Sequence, residues 1–266
     1  MMRVWSSAAE WMARRRDLDR RTVGFVPTMG ALHRGHASLL ERCRRENAIA
    51  VASIFVNPSQ FNDPTDLERY PRTLATDLAL LESLGIDDVL APPASELYPH
   101  GYRFRVEAEG ATGIMEGAHR PGFLQGVMTI VLKLLNLVRP HRAYFGEKDY
   151  QQLQIVREMV AEFFIPTEIV PCLTVREESG LAESSRNARL SGDARRKAAA
   201  IFHALRTAPG AVQARSALEH EGFAVDYVEE RWGRRFAAVF LEDVRLIDNV
   251  PLAEPSREGD AYAALS

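Results

Sequence analysis

The chain reads VGFVPTMGALHRGH over residues 23–36, and the fold class can be predicted from these residues and the helix that follows them. Residues 23–26 form an apolar run typical of a buried strand, and the apolar side chains of residues 37–47 recur at helical spacing. A short glycine-containing loop joins the two segments. A buried strand, a short loop and an amphipathic helix open a βαβ unit, so the stretch predicts a parallel sheet covered by helices.

Strands and helices continue to alternate outward from this stretch. We predict strands at 50–56, 88–91, 142–145 and 167–172, and helices at 74–84, 126–138 and 149–162. A Ser7/Glu10 capping box predicts a helix before the first strand. After about residue 176 the pattern changes to helices at 193–206 and 211–220, followed by strands at 225–229, 237–241 and 245–247. This segregation predicts a small second domain of the α+β class.

Composition excludes several classes of protein. The 266 residues are 46% hydrophobic and 26% charged with a net charge of −3, which excludes a disordered chain and gives no positive field for nucleic acid. Cys43 and Cys172 lie outside any CxxC pattern, as expected in a reducing compartment. The longest apolar stretch, 126–138, is interrupted by Lys133 and Asn136 and is too short to cross a bilayer. We therefore expect a soluble, cytoplasmic protein without nucleic-acid or membrane partners.

The loop after the first strand of the unit carries two histidines. His33 and His36 lie three residues apart, and Gly35 between them permits close approach of a bulky anion. A helix N-terminus provides free N–H groups and a positive dipole end that suit phosphate, and two imidazoles can donate hydrogen bonds to it. Two surface histidines at a helix cap are the alternative. A zinc site is disfavoured because no third ligand is evident.

Polar side chains also follow the other predicted strands, where ligands of parallel sheets bind. Asn57 and Gln60 carry uncharged amides that suit hydroxyls and a carboxylate, although an Asn-Pro pair also opens ordinary turns. Lys148 reaches a phosphate as a point charge or remains solvated, and Asp149 fits the N-cap of the following helix. In the loop 175–187, the hydroxyls of Ser184 and Ser185 and the guanidinium of Arg186 either close over a polyphosphate or belong to a polar interdomain linker.

Taken together and in this order, these loops closely resemble the pantoate–β-alanine ligase (pantothenate synthetase) family of the nucleotidylyltransferase superfamily. The motifs that carry the resemblance are PTMGALHRGH (27–36), FVNPSQF (55–61), YPRTL (70–74), GVMT (126–129), FGEKDYQQL (145–153), SSRN (184–187), DYVE (226–229) and RLIDN (245–249).

The resemblance implies a fold and a reaction. It implies a Rossmann-like parallel sheet with helices on both faces over residues 1–176, a C-terminal lid domain over 177–266, and a homodimer. The activity that it implies is ATP-dependent condensation of pantoate with β-alanine through a pantoyl adenylate, releasing AMP and pyrophosphate. Mg²⁺ is expected to be held mainly by ATP phosphates. Its protein ligands are not identified, and Asp77 is the nearest candidate.

The resemblance also implies roles for individual residues. His36 is expected to be the proton donor, with His33 and Lys148 also catalytic. The expected ATP-binding residues are Met29, Gly30, Ala31, Leu32, His33, Arg34, Gly35, His36, Gly146, Glu147, Lys148, Asp149, Val175, Glu183, Ser184, Ser185 and Arg186. Gln60, Gln152 and Asn57 are expected to bind pantoate and β-alanine.

Two positions depart from the family pattern. Phe123 stands where family members usually carry histidine, which predicts weaker ATP affinity if that histidine contacts the nucleotide. Glu183 replaces a methionine or leucine, and its carboxylate is unfavourable beside a triphosphate unless it points away or pairs with a base such as Arg189. Two alternatives stay open: a nucleotidylyltransferase of a phosphorylated substrate, with an extra cationic pocket, and a nucleotide-binding protein of low activity.

Overall fold

A computed structural model describes residues 1–18 and 20–252 and divides the chain into two compact units. The first unit comprises Met1–Val175 with Glu183–Ser185, and the second comprises Arg176–Ala182 and the chain from Arg186 onward. The end of the predicted C-terminal domain, residues 253–266, lies outside the described residues.

In the described part of the first unit, six strands form one parallel sheet in the order β1-β4-β3-β2-β6-β7. The strands of this unit are β1 (Arg3–Trp5), β2 (Val23–Thr28), β3 (Ile49–Ile54), β4 (Asp88–Leu90), β5 (Pro99–Tyr102), β6 (Arg142–Gly146) and β7 (Glu168–Cys172). The helices are α1 (Ala8–Asp17), α2 (Arg34–Glu46), α3 (Pro64–Arg69), α4 (Leu74–Ser83), α5 (Ala94–Leu97), α6 (Met115–His119), α7 (Phe123–Val138) and α8 (Tyr150–Glu162).

Helices cover both faces of this sheet. Successive strand residues point to opposite sides, and the strands carry apolar side chains on each side. On one face, Phe25 and Val51 pack with buried residues of α1, α7 and α8. On the other face, Val26, Ala50 and Ala52 pack with residues of α2 and α4. The predicted parallel sheet between two helical layers is confirmed.

The sheet opens between β2 and β6 at the carboxyl ends of these strands. β2 pairs with β3 along its whole length, to Thr28 opposite Ile54, but it pairs with β6 only at Gly24 and Phe25. From β2 the chain continues to β3 and β4 on one side and returns to β6 and β7 on the other. This reversal is a topological switch point, where parallel sheets bind ligands beyond the carboxyl ends of their strands.

The described part of the second unit contains a three-stranded antiparallel sheet, in the order β10-β9-β8, and two helices. Its elements are α9 (Gly192–Thr207), α10 (Ala211–His220), β8 (Ala224–Arg231), β9 (Arg234–Leu241) and β10 (Val244–Pro251). Ile201, Leu218 and Val239 belong to its core. The predicted small α+β region is therefore present.

Several local predictions were wrong. β1 was not predicted, because a three-residue edge strand has too little pattern to recognise. α3 lies between the predicted strand at 50–56 and the predicted helix at 74–84, where no helix was predicted. The Ser7/Glu10 capping box does not form. Ser7 lies at the N-cap but makes no side-chain cap bond, and the Ala8 N–H donates instead to Glu96 Oε2 at 2.8 Å.

Candidate active site

A buried carboxylate shapes the loop after β2. Gly30 and Ala31 have positive φ values of 78° and 49°, which turn two successive N–H groups toward Asp77. Its Oδ2 accepts from Ala31 N at 2.9 Å and from the Thr73 hydroxyl at 3.1 Å, and its Oδ1 accepts from Leu32 N at 2.8 Å. Asp77 is 2% exposed. Asp77 therefore holds the loop. From the sequence it was the nearest candidate for a ligand of Mg²⁺.

The two histidines of the loop cap the helix that follows them. His33 is the N-cap residue of α2, and its Nδ1 accepts from Gly35 N at 3.1 Å. His36 reciprocates, with its Nδ1 accepting from His33 N at 3.4 Å. The ring centroids lie 4.1 Å apart. A Cβ on Gly35 would lie 2.8 Å from His33 Cε1, so the glycine makes room for an imidazole, whereas the sequence suggested room for an anion.

Both imidazoles are neutral at physiological pH. Burial, followed by the charge of Lys148, lowers the pKa of His33 to about 4. Burial, His33 and Lys148 lower the pKa of His36 to about 3. Because each Nδ1 accepts a backbone N–H, each neutral ring carries its proton on Nε2. The pair therefore presents two uncharged N–H donors.

The turn after β6 supplies the positive charge. Gly146–Asp149 lie at the carboxyl end of β6, beside the loop after β2, and Lys148 lowers both histidine pKa values. Lys148 Nζ lies 3.7 Å from Asp149 Oδ1, while Glu147 is half-buried in the same turn. Asp149 occupies the N-cap of α8 without a side-chain cap bond. A Cβ on Gly146 would meet no atom within 4 Å, so this turn faces open space.

Asn57 is buried in the turn after β3, and its amide is saturated by protein groups. Its Nδ2 donates to Gln60 Oε1 at 2.9 Å and to the Gly126 carbonyl at 3.2 Å. Its Oδ1 accepts from the hydroxyls of Ser59 and Tyr98, each at 3.0 Å. Asn57 was expected to bind substrate, but this saturation gives it the role of orienting Gln60.

The side chain of Gln60 is left with its donors available. Because Oε1 accepts from Asn57, Nε2 carries the two remaining N–H groups, and no described residue accepts from it. Gln151 and Gln152 lie in the first turn of α8, and they differ as Asn57 and Gln60 do: one side chain is bonded within the protein and the other is not. Gln151 is buried and bonded to Glu116 N and the Ile114 carbonyl. The side chain of Gln152 is half-buried and makes no hydrogen bond to another described residue.

The remaining expected ATP ligands lie in two places. Met29 and Leu32 are half-buried in the loop after β2. The Val175 carbonyl accepts from Glu183 N at 3.0 Å, which ties residues 183–185 to the first unit. Ser184 and Ser185 are half-buried there, whereas Arg186 belongs to the second unit.

Glu183 pairs with a base within the first unit, Arg34, and the base named as an example from the sequence, Arg189, has its own partner in the second unit. Arg189 pairs with Asp243 at 3.3 Å, and Glu183 Oε1 instead lies 3.8 Å from Arg34 Nη1. Arg34 was expected to bind ATP, but its side chain is 73% exposed, so this ion pair is weak.

The positioning roles of four residues were not identified from the sequence. They are Asp77, which holds the loop after β2, Tyr98, which binds Asn57, Arg120, which binds the carbonyl of Gln60, and Gly126, which contacts Ser59. A Cβ on Gly126 would lie 2.1 Å from the Ser59 carbonyl, so only glycine lets α7 approach this turn. Arg120 Nη2 donates to the Gln60 carbonyl at 3.2 Å. Arg120 could not be identified from the sequence, because no local pattern shows which carbonyl an arginine will reach.

The residues that the structure describes contain neither a metal-binding cluster nor a membrane-spanning helix. Among them, no group of three or more His, Cys, Asp or Glu side chains is placed to hold a metal ion. None of their helices combines the length and apolar character that a membrane span requires.

Comparison with known proteins gives a consistent result. A family model described as pantoate-beta-alanine ligase matches residues 1–251. The pantothenate synthetase of Bdellovibrio bacteriovorus is 51% identical over 252 residues, covering 95% of this chain and 100% of the relative. That of Coxiella burnetii is 48% identical over 257 residues, with 97% and 100% coverage.

Solved structures agree with these relatives. The pantothenate synthetase of Thermus thermophilus superposes with a TM-score of 0.88 at 46% identity, covering 95% of this chain and 100% of that chain. The pantoate-beta-alanine ligase of Francisella tularensis, solved in complex with beta-gamma ATP and beta-alanine, gives a TM-score of 0.90 at 38% identity, with 94% and 98% coverage.

Proposed function

The chain belongs to the pantoate–β-alanine ligase family, and on that premise we propose which of its residues carry the reaction. The protein is an ATP-dependent ligase that joins pantoate to β-alanine and forms pantothenate. The first step forms a bond between a pantoate carboxylate oxygen and the α-phosphorus of ATP and expels pyrophosphate. In the second step the amine of β-alanine attacks the acyl carbon of the adenylate, and AMP leaves. Positioning and charge stabilisation suffice for both steps, since no covalent enzyme intermediate is needed.

The two imidazoles and Lys148 stabilise the phosphate charge that develops in the first step. His33 and His36 each direct an uncharged Nε2–H donor, and Lys148 adds a full positive charge beside them. A ring with a pKa of about 3 is rarely protonated near neutral pH. His36 therefore acts in the free enzyme as a hydrogen-bond donor, although its expected role was proton donor.

Pantoate binds through the neutral amides of Gln60 and Gln152. Uncharged donors hold the hydroxyls and one carboxylate oxygen and leave the negative charge of the nucleophile in place. An arginine would neutralise that charge. Arg120 lies near this turn, but Glu116 pairs with it at 3.4 Å. The observation that carries this assignment is the Asn57 bond, which fixes the Gln60 amide with its donors available. This neutral arrangement also favours a carboxylic acid over a phosphorylated substrate.

The nucleotide extends along the loops after β2, β6 and β7. We assign it to residues 29–36, 146–149, Val175 and 183–186. The expected lid, residues 177–266, includes residues 183–185, which belong to the first compact unit, so we assign the lid role to the second unit. Mg²⁺ arrives with ATP and is held mainly by phosphate oxygens. This is consistent with the commitment of the Asp77 carboxylate to backbone N–H groups.

The resemblance supports two further assignments, a homodimer and a cytoplasmic location. Light scattering coupled to size-exclusion chromatography measures the first. A mass near 60 kDa is expected, because one chain is 29.8 kDa, and a mass near 30 kDa would contradict it. Fractionation of the native host tests the second assignment.

Isotope transfer tests the reaction directly. Pantoate labelled with ¹⁸O in its carboxylate is incubated with ATP, Mg²⁺ and β-alanine, and the products are weighed by mass spectrometry. We expect pantothenate, pyrophosphate and AMP carrying one ¹⁸O atom, because that oxygen bridges the adenylate. Unlabelled AMP would contradict acyl adenylation. ATP binding without pyrophosphate release would favour the nucleotide-binding protein of low activity, and turnover only with a phosphorylated acid would favour the other nucleotidylyltransferase.

A further inference from the structure

The aromatic ring of Phe123 packs against a guanidinium at the edge of the Gln60 turn. Phe123 is the first residue of α7, and Arg120 Cζ lies 3.6 Å from its ring centroid. Arg120 is 13% exposed, and its Nη1 lies 3.4 Å from Glu116 Oε2. Its Nη2 donates to the Gln60 carbonyl at 3.2 Å. The guanidinium is therefore held by a ring, a carboxylate and a main-chain carbonyl.

The first turn of α7 touches the Gln60 turn at a second point. Gly126 is three residues after Phe123 and therefore on the same face of the helix. Its carbonyl accepts from Asn57 Nδ2, and its Cα lies against the Ser59 carbonyl. Gln60 is thus held through its main chain by Arg120 and through its side chain by Asn57. Of these two supports, only the Arg120 contact depends on the residue at position 123.

We propose that Phe123 is a positioning residue for pantoate, acting through Arg120 on Gln60. This inference rests on the proposed role of Gln60 in binding pantoate. A cation over an aromatic face is attracted by the ring quadrupole and needs no hydrogen-bonding atom from the ring. The histidine of the family pattern is therefore not required to hold Arg120 here. The effect of position 123 falls on pantoate, whereas the sequence suggested an effect on ATP.

Two substitutions of Phe123 distinguish the cation–π contribution of its ring from the contribution of its apolar volume. Phe123→Leu keeps an apolar side chain but removes the quadrupole, and Phe123→Tyr retains it. We expect Phe123→Leu to raise the KM for pantoate about 10-fold, the equivalent of one partly buried cation–π contact, with the KM for ATP within about 2-fold of wild type. Phe123→Tyr is expected to stay within about 3-fold for both substrates. Phe163→Leu, the same exchange at the exposed end of α8, is the matched control and should change neither value.

The outcomes distinguish this inference from the assignment on which it rests. The inference is overturned if Phe123→Leu and Phe123→Tyr behave alike, or if Phe123→Leu raises both KM values together, as general loosening of the fold would. If Gln60→Ala raises the KM for pantoate while Phe123→Leu does not, the inference fails and the role of Gln60 stands. If Gln60→Ala itself leaves that KM unchanged, the assignment of Gln60 fails. Thermal unfolding of each variant, expected within a few degrees of wild type, shows that the comparison is made between folded proteins.

Discussion

Replacement of Asp77 by asparagine is the most direct test of how the phosphate loop is held. The carboxylate accepts from Ala31 N, Leu32 N and the Thr73 hydroxyl, and it is almost completely buried. Asparagine has nearly the same shape but turns an NH₂ group toward one of these donors. The variant loses at least one charge-assisted hydrogen bond, worth about 1.5–3 kcal/mol, and leaves a buried N–H without its acceptor. We expect the free energy of unfolding of the first unit to fall by about 3 kcal/mol.

The same change should slow catalysis, because the loop that Asp77 holds leads directly into His33 and His36. A displacement of about 1 Å costs up to about 100-fold in rate, so we expect kcat/KM for ATP to fall between 10- and 100-fold. Stability is measured by urea unfolding followed through the fluorescence of Trp5 and Trp11, and activity by pyrophosphate release.

Asp193→Asn is the control for the Asp77 variant. Its carboxylate is 89% exposed, and the substitution should change stability by less than about 0.5 kcal/mol. Wild-type stability and rate in Asp77→Asn would refute the loop-holding role. Recovery of its rate at high Mg²⁺ would instead identify Asp77 as a metal ligand.

Three other predictions concern the residues that face the substrates. His36→Ala and Lys148→Ala should each lower kcat by about 10²–10³, because each removes a donor to developing phosphate charge; pyrophosphate release measures this. In ¹⁵N-detected NMR titrations, His33 and His36 should remain Nε2–H tautomers at pH 7 and titrate near pH 4 and pH 3. In the unfolded chain these histidines have their ordinary pKa of about 6.5 and bind protons below it, whereas in the folded protein they stay neutral until about pH 4. The free energy of unfolding should therefore fall as the pH drops from about 6.5 toward 4. Gln60→Ala should weaken pantoate binding while leaving ATP affinity near wild type, as measured by isothermal titration.

Each of these predictions has a contrary result. Retention of wild-type turnover in His36→Ala or Lys148→Ala would remove those residues from the chemistry. An Nδ1–H tautomer, or a titration midpoint near 6.5, would contradict the reciprocal capping geometry of His33 and His36. Equal weakening of pantoate and ATP by Gln60→Ala would indicate a distorted fold, and unchanged pantoate affinity would contradict its role. Phe163→Leu serves again as the control for folding.

Prediction from sequence worked best where the pattern was long and regular. α2, α4 and α8 were placed within a few residues of their true bounds, because an amphipathic helix repeats its signal over several turns. The capping of α2 was not predictable. Capping boxes are recognised by Ser or Thr followed by Glu or Gln, whereas here His33 and His36 make the reciprocal bonds.

For the site residues, the kind of group that each binds was easier to predict from the sequence than which of them contacts the substrate. His33, His36 and Lys148 were identified because few residue types suit phosphate, and the tertiary structure places their strand ends side by side. Asn57 and Gln60 looked equivalent in sequence. They differ because Tyr98 and the carbonyl of Gly126, both remote along the chain, saturate the first amide and leave the donors of the second.

The parallel sheet with its helical layers, the order of the ligand-binding loops and the family can all be predicted from the chain alone. They depend on periodicity and on motifs whose residues are neighbours along the sequence. Three roles became evident only in the folded protein: Asp77 holds the loop after β2, Asn57 orients Gln60, and Arg120, packed on Phe123, binds the carbonyl of Gln60. Each role depends on a remote contact: Asp77 lies 46 residues from Ala31, Asn57 is held by Tyr98 and Gly126, and Arg120 reaches the carbonyl of Gln60, 60 residues away. A hydrogen bond or a ring contact depends on a distance of a few ångströms, and that distance exists only after the strands and helices have packed.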